Sequence, residues 1–193
     1  MQEYLRLYYA IISQVDHGVG RVLATLEELG IREDMAIVFT SDHGDMQGSH
    51  GHTGKQLPYE KSCGIPLIVS VPEGRKNHHC DCLISGIDLY PTILDMVSIP
   101  QKDHLQGKSF ADYIFGREDT CENTVFAENM GKTAWKMVRH GDYKLAIDSD
   151  TQEPTVLFNV KDDPLELHNL VGDPAHQKRG EQLCKMIRDV FVV

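Results

Sequence analysis

Residues 35–55 read MAIVFTSDHGDMQGSHGHTGK, and they hold the densest chemistry in the chain. Met35-Ala36-Ile37-Val38-Phe39-Thr40 is an apolar run rich in β-branched and aromatic residues, which predicts a strand buried on both faces within a largely parallel sheet. The run stops at Thr40, and Ser41, Asp42, His43, Gly44 and Asp45 follow at once, with Gly48, His50, Gly51, His52, Gly54 and Lys55 beyond. A loop past the carboxyl end of a buried strand is where open α/β sheets place their ligands. Asp42 offers a hard carboxylate oxygen and His43 an imidazole nitrogen, a pair suited to Zn²⁺, Mn²⁺ or Mg²⁺, or to Ca²⁺ where the histidine contributes little. Two donors leave a coordination shell incomplete, so further ligands are expected from elsewhere.

Working outward, Leu5, Tyr8, Tyr9, Ile12, Val15, Val19, Val22, Leu23, Leu26 and Leu29 recur at three- and four-residue steps, predicting one amphipathic helix from Gln2 to Gly30. Gly18 and Gly20 lower helix propensity, and close packing against the sheet is the expected reason for them. Pro66-Leu67-Ile68-Val69-Ser70-Val71 predicts a second core strand, Asp88–Val97 a helix with Pro91 in its first turn, and Ser109 an N-cap for a short helix ending at Ile114. After Gly116 the pattern changes. Short apolar runs at 125–127, 135–138, 143–147 and 156–160 are separated by Gly, Asp and Pro turns, which predicts an antiparallel meander with Gly141-Asp142 at one hairpin. Asp173-Pro174 opens a last helix carrying Leu183, Met186, Ile187 and Val190 on its apolar face. The expected division is residues 1–116 as an α/β unit and 117–193 as a small α+β unit.

Composition narrows the function. The chain has 193 residues, 41% hydrophobic and 25% charged, which suits a globular core. A net charge of −10 argues against nucleic-acid binding, because a phosphate backbone needs clustered Lys and Arg. No apolar run reaches membrane-spanning length, so no membrane partner is expected. The five cysteines are odd in number and scattered, and predict reduced thiols, fitting a cytoplasmic setting. His78-His79-Cys80-Asp81-Cys82 matches no standard zinc spacing and is read as a loop entering a strand.

The run S-D-H-G-D-M-x-G-S-H-G-x-x-x-K, followed by Tyr59-Glu60 and Ile65-Pro66-Leu67-Ile68-Val69, resembles the second half of a sulfatase of the alkaline phosphatase superfamily. Asp88-Leu89-Tyr90-Pro91-Thr92-Ile93-Leu94-Asp95 and the order of the carboxyl-terminal strands fit the same family, so the resemblance covers essentially the whole chain. It implies a partial α/β/α sandwich of the alkaline phosphatase-like type, with a small antiparallel sheet plus helix at the end. It further implies that Asp42 and His43 bind part of the active-site metal, most often Ca²⁺, and that Lys55 contacts the sulfate of an aryl or carbohydrate ester. His50 and His52 are candidates for the acid that protonates the leaving group. Asp45 is read as a loop brace and Asp16 as structural.

The resemblance also marks departures. The family forms a formylglycine nucleophile from C-x-P-x-R or S-x-P-x-R, and this chain has neither; Ser98-Ile99-Pro100-Gln101-Lys102 comes nearest but lacks the Arg. Gly64 stands where the family usually has Arg. The nucleophile and the remaining metal ligands are therefore expected in a missing amino-terminal half or another subunit, and the isolated chain is expected to be inactive. A phosphodiesterase or phosphonate monoester hydrolase of the same superfamily, and a non-catalytic remnant binding a partner chain, are the alternative readings.

Overall fold

The computed structural model describes residues 1–101, 104–131 and 133–191; Lys102 lies outside them. Helix α1 runs Gln2–Glu28. Its end is set by Gly30, whose φ of +66° favours a residue without a side chain, while the Ile31 N–H returns to the Leu26 carbonyl at 3.1 Å. Strand β1 (Ile37–Thr40) follows, then the Asp42–Lys55 loop, the single turn α2 (Glu60–Cys63) and strand β2 (Leu67–Ser70).

The β1–β2 pair corrects the expected parallel arrangement. The strands are antiparallel, with Ile37 opposite Ser70 and Thr40 opposite Leu67. Their connection is a folded loop and one helical turn; it contains no crossover helix, and an antiparallel return needs none. Nor is β1 buried on both faces. Phe39 is 38% exposed and its cross-strand partner Ile68 is 61% exposed, both on one face, whereas Leu67 and Val69 are half-buried on the other.

No residue of α1 is buried. Tyr8, Ile12, Val15 and Val19 line one wall of an open groove of about 1210 Å³, and Phe39 and Ile68 line the facing wall. The helical periodicity was a correct guide to which face is apolar, but that face looks into the groove. A Cβ built on Gly18 or Gly20 meets nothing within 4 Å, so the close packing expected of these glycines is absent.

The segment 85–110 is tied by its own polar side chains. Ser85 N–H donates to Asp88 Oδ2 (2.9 Å), Lys108 N–H to Asp88 Oδ1 (2.9 Å), and Phe110 N–H to Thr92 Oγ1 (3.1 Å), anchoring α3 (Leu89–Met96) to the entry of α4 (Ala111–Ile114). The N-cap of α4 is Phe110 rather than the expected Ser109, which sits one residue earlier and accepts the Ala111 N–H at 3.2 Å. His78–Cys82 is loop, as expected, but Leu83-Ile84 joins no ladder. The reduced-thiol expectation is overturned here. Cys82 and Cys121 form a disulfide with Cα atoms 5.8 Å apart, leaving Cys63, Cys80 and Cys184 free. Scattered positions in sequence carry no information about which sulfurs the fold brings together.

The meander is as predicted. Strands β3 (Thr124–Asn129), β4 (Trp135–His140), β5 (Tyr143–Asp148) and β6 (Pro154–Asn159) lie in sequential antiparallel order. Alternation assigns its two faces. Val138, Leu145, Ile147 and Leu157 pack against Leu183, Cys184 and Ile187 of α5 (Gln177–Val190). Trp135, Met137, Ala146, Val156 and Phe158 face the other way, onto Tyr59 and Cys63. The carboxyl-terminal sheet is therefore covered on one side by its own helix and on the other by the segment leading out of the Asp42–Lys55 loop.

Candidate functional site

The site starts where β1 ends. Ser41 Oγ donates to the His43 carbonyl (3.0 Å), and the His43 N–H donates to Asp42 Oδ1 (2.9 Å), which turns the chain sharply and fixes the Asp42 carboxylate. That backbone N–H is the first reason the Asp42 carboxyl is held below the usual carboxylate range; desolvation opposes it, and the nearby Lys55 ammonium acts more weakly in the lowering direction. The His43 ring is oriented by the next residue, because Nδ1 lies 2.9 Å from the Gly44 carbonyl and must donate to it. In that tautomer Nε2 carries the lone pair, the form in which an imidazole ligates a metal. Nε2 lies 3.2 Å from Asp42 Oδ2, so the two donor atoms converge on one point.

Gly44 is required by contact. Its N–H bonds the Ser62 carbonyl at 2.9 Å, and a Cβ there would sit 2.1 Å from the Lys61 carbonyl oxygen. Beyond it the loop closes on itself. Met46 N–H bonds the Gly54 carbonyl (2.7 Å) and Gly48 N–H the His52 carbonyl (2.7 Å), wrapping the loop around a fully buried Met46 side chain. This closure returns Lys55 to the strand end, where Nζ contacts His43 Nε2. Asp45 braces the loop from outside, accepting the Tyr4 hydroxyl (3.0 Å) and the Gln47 N–H (2.8 Å).

Asp42, His43 and Lys55 are thus brought together. His50, at φ +54°, stacks on Tyr59 with ring centroids 4.1 Å apart and lines the groove alongside His43. His52 is exposed, and its carbonyl serves the loop closure. Among the described residues no group of three His, Cys, Asp or Glu side chains is placed to hold a metal ion. The donor chemistry of Asp42 and His43 fits a divalent cation, and the two supply part of a shell.

The loop's far end is held by the carboxyl-terminal sheet. Trp135 Nε1 donates to the Gln56 carbonyl (2.9 Å), immediately after Lys55. Tyr59 reaches Phe158, with centroids 5.9 Å apart. Glu60 then enters an ionic cluster built on the buried Lys144, with Lys144 Nζ 3.3 Å from Oε1 and the half-buried Arg139 Nη1 3.1 Å from Oε2. Glu166 pairs with the same Lys144 ammonium and accepts the Glu60 N–H at 2.8 Å. The one available signal was the Tyr59-Glu60 doublet, because an acidic residue beside an apolar sheet face needs a buried cation to meet it.

Comparison with known proteins places this geometry. Residues 1–99 match the family model named Sulfatase. The arylsulfatase of Clostridium perfringens is 30% identical over 198 residues, covering 93% of this chain and 38% of that enzyme. A solved structure described as a complex with its substrate D-glucosamine-2-N,6-O-disulfate superposes with a TM-score of 0.79 at 26% identity, covering 92% of this chain and 38% of that one. The phosphonate monoester hydrolase from Silicibacter pomeroyi superposes with a TM-score of 0.80 at 28% identity, covering 91% and 38%. The chain spans about two fifths of the length of these relatives, and its fold is of their alkaline phosphatase-like type. A family match across residues 1–99 that contains the whole Asp42–Lys55 loop, borne on that fold, means that this chain belongs to the sulfatase family.

Proposed function

We propose that this chain is the carboxyl-terminal part of a sulfuric ester hydrolase and contributes the Asp42–His43–Lys55 corner of its active site. The observation that supports this most directly is the convergence of those three side chains at the end of β1. Asp42 presents a carboxylate that stays ionised at neutral pH, and His43 presents Nε2 because Gly44 holds its Nδ1 proton. A divalent cation, Ca²⁺, Mg²⁺, Mn²⁺ or Zn²⁺, would be held by this pair together with ligands from an amino-terminal half, and would supply Lewis-acid polarisation of the ester. Lys55, held at the same corner, would offer its ammonium to the sulfuryl oxygens and offset the charge that builds on them. His50 faces the same groove and is the better placed of the two histidines to donate a proton to the leaving group. The formylglycine nucleophile belongs to the amino-terminal half, and the apolar groove between α1 and the β1–β2 face is the surface that half would cover.

The substrate class follows the relatives, whose names include an arylsulfatase and whose structures include a complex with a sulfated glucosamine. Incubation of the purified chain with an aryl sulfate and excess Ca²⁺, Mg²⁺ or Mn²⁺ tests the division of labour. No turnover is expected. Turnover that Asp42→Ala abolishes would mean that the chain carries its own nucleophile.

A phosphonate or phosphate ester is the second reading, supported by the likeness to the phosphonate monoester hydrolase. Comparing sulfate and phosphonate esters on the chain joined to its amino-terminal half separates the two.

A further inference from the structure

The sulfatase reading makes no use of Cys80, Cys82 and Cys121. The Cys82–Cys121 disulfide ties the loop after β2 to the segment after α4 across 39 residues of chain. Cys80, two residues earlier, is a free, half-buried thiol, and its Sγ accepts the Cys82 N–H at 3.4 Å. The third sulfur is therefore fixed against the backbone of Cys82, one half of the disulfide. His78 Nε2 lies 2.8 Å from the Tyr113 hydroxyl, and the Arg75 guanidinium lies 4.8 Å from the centre of the Tyr113 ring. The Tyr113 hydroxyl is itself raised above its ordinary pKa, first by its hydrogen bond to Cys80. Cys80, Cys82, His78, Arg75 and Tyr113 line one cavity of about 320 Å³. Cys121 is exposed, so the disulfide is open to solvent from its far side.

We propose that these three cysteines form a thiol–disulfide exchange centre that moves the cross-link between two registers. The Cys80 thiolate attacks Cys121 Sγ, the Cys80–Cys121 bond forms, the Cys82–Cys121 bond breaks, and Cys82 leaves as the thiolate. Cys80 gives up one proton and Cys82 takes one up; no electrons are gained or lost, and no outside oxidant is used. The two cross-links close loops of nearly equal length and constrain the unfolded chain almost equally, so neither register has a large entropic advantage. A Cys80–Cys82 bond would release Cys121 and forfeit the long-range link. Either long register leaves one free thiol lining the cavity beside His78 and Tyr113.

Non-reducing peptide mapping tests this on the whole chain. Protein oxidised in a glutathione buffer is held at pH 6, 7, 8 and 9, quenched in acid, alkylated and cleaved before Asp81, which separates Cys80 from Cys82. Both the 82–121 and the 80–121 linkages are expected, approaching their ratio faster as pH rises and the thiolate fraction grows. Cys82→Ser is expected to yield the 80–121 bond in folded protein, and Cys80→Ser to hold 82–121 alone. The 82–121 bond alone at every pH, with Cys80 and Cys121 both free in Cys82→Ser, overturns the proposal. So does 80–82 as the sole alternative product.

Discussion

The Lys144 ammonium, fully buried on β5, lies 3.3 Å from Glu60 Oε1, joining the carboxyl-terminal sheet to the residue that follows the loop's Tyr59 anchor. Glu166 completes the buried cluster from the loop after β6. Removing one member of such a cluster leaves an uncompensated charge away from water. Lys144→Met is expected to destabilise the fold by about 3–5 kcal/mol. Urea denaturation followed by the fluorescence of the single tryptophan, Trp135, reads both stability and the loop's attachment, because its indole N–H holds Gln56. A loss below about 1 kcal/mol, within the range of a surface pair, would mean that the cluster does not clamp the loop.

Two glycine substitutions are expected to act in opposite directions. Gly44→Ala places a methyl group 2.1 Å from the Lys61 carbonyl oxygen and so must separate the Asp42–His43 turn from α2; a cost of about 1–3 kcal/mol is expected. Gly18→Ala meets nothing and removes backbone freedom from a helix, with an expected gain of about 0.5–1 kcal/mol. Thermal melts of the two variants against the parent check both signs.

Burial pushes the Cys63 thiol up to about 11, and its Sγ donates to the Leu57 carbonyl at 3.2 Å. Its thiolate is populated only as pH approaches that value. At pH 8 Cys63 is expected to resist iodoacetamide in the folded chain and to react at an ordinary rate in urea. Rapid labelling in the folded state would show that Tyr59 and Phe158 do not seal it.

The sign of the Asp42 shift sets a pH window. Its folded-state pKa is lowered from 3.8, so the stabilisation it contributes is complete above the unfolded value and is lost as pH falls through the lower, folded one. A carboxyl carbon titration by NMR is expected to place the Asp42 midpoint below 3.8. A midpoint at or above it would mean that the His43 N–H does not hold the carboxylate.

The sequence was most legible where one residue's chemistry determines its surroundings. The apolar run ending at Thr40 marked the strand before the Asp42–Lys55 loop, and alternation with turn residues marked the meander, since both depend on neighbours in the chain. Strand direction was not legible: Ile37–Thr40 and Leu67–Ser70 carry the same composition in either sense, and only the fold of residues 41–66 determines that they run antiparallel. The Cys82–Cys121 bond and the pairing of Glu60 with Lys144 were hidden for the same reason, because they join residues 39 and 84 positions apart. Gly18 and Gly20 misled, because a packing role was assigned to positions that face nothing.

The central claim is that Asp42 and His43 share one divalent cation. Titrating Mn²⁺ into the ¹⁵N-labelled chain and following paramagnetic broadening tests it directly, since weak binding by two ligands still broadens nearby amides. The account predicts that the Asp42, His43 and Gly44 signals broaden first, that Ca²⁺ reverses the effect, and that Asp42→Ala removes it. Broadening centred on another acidic surface, unchanged in Asp42→Ala, would contradict it.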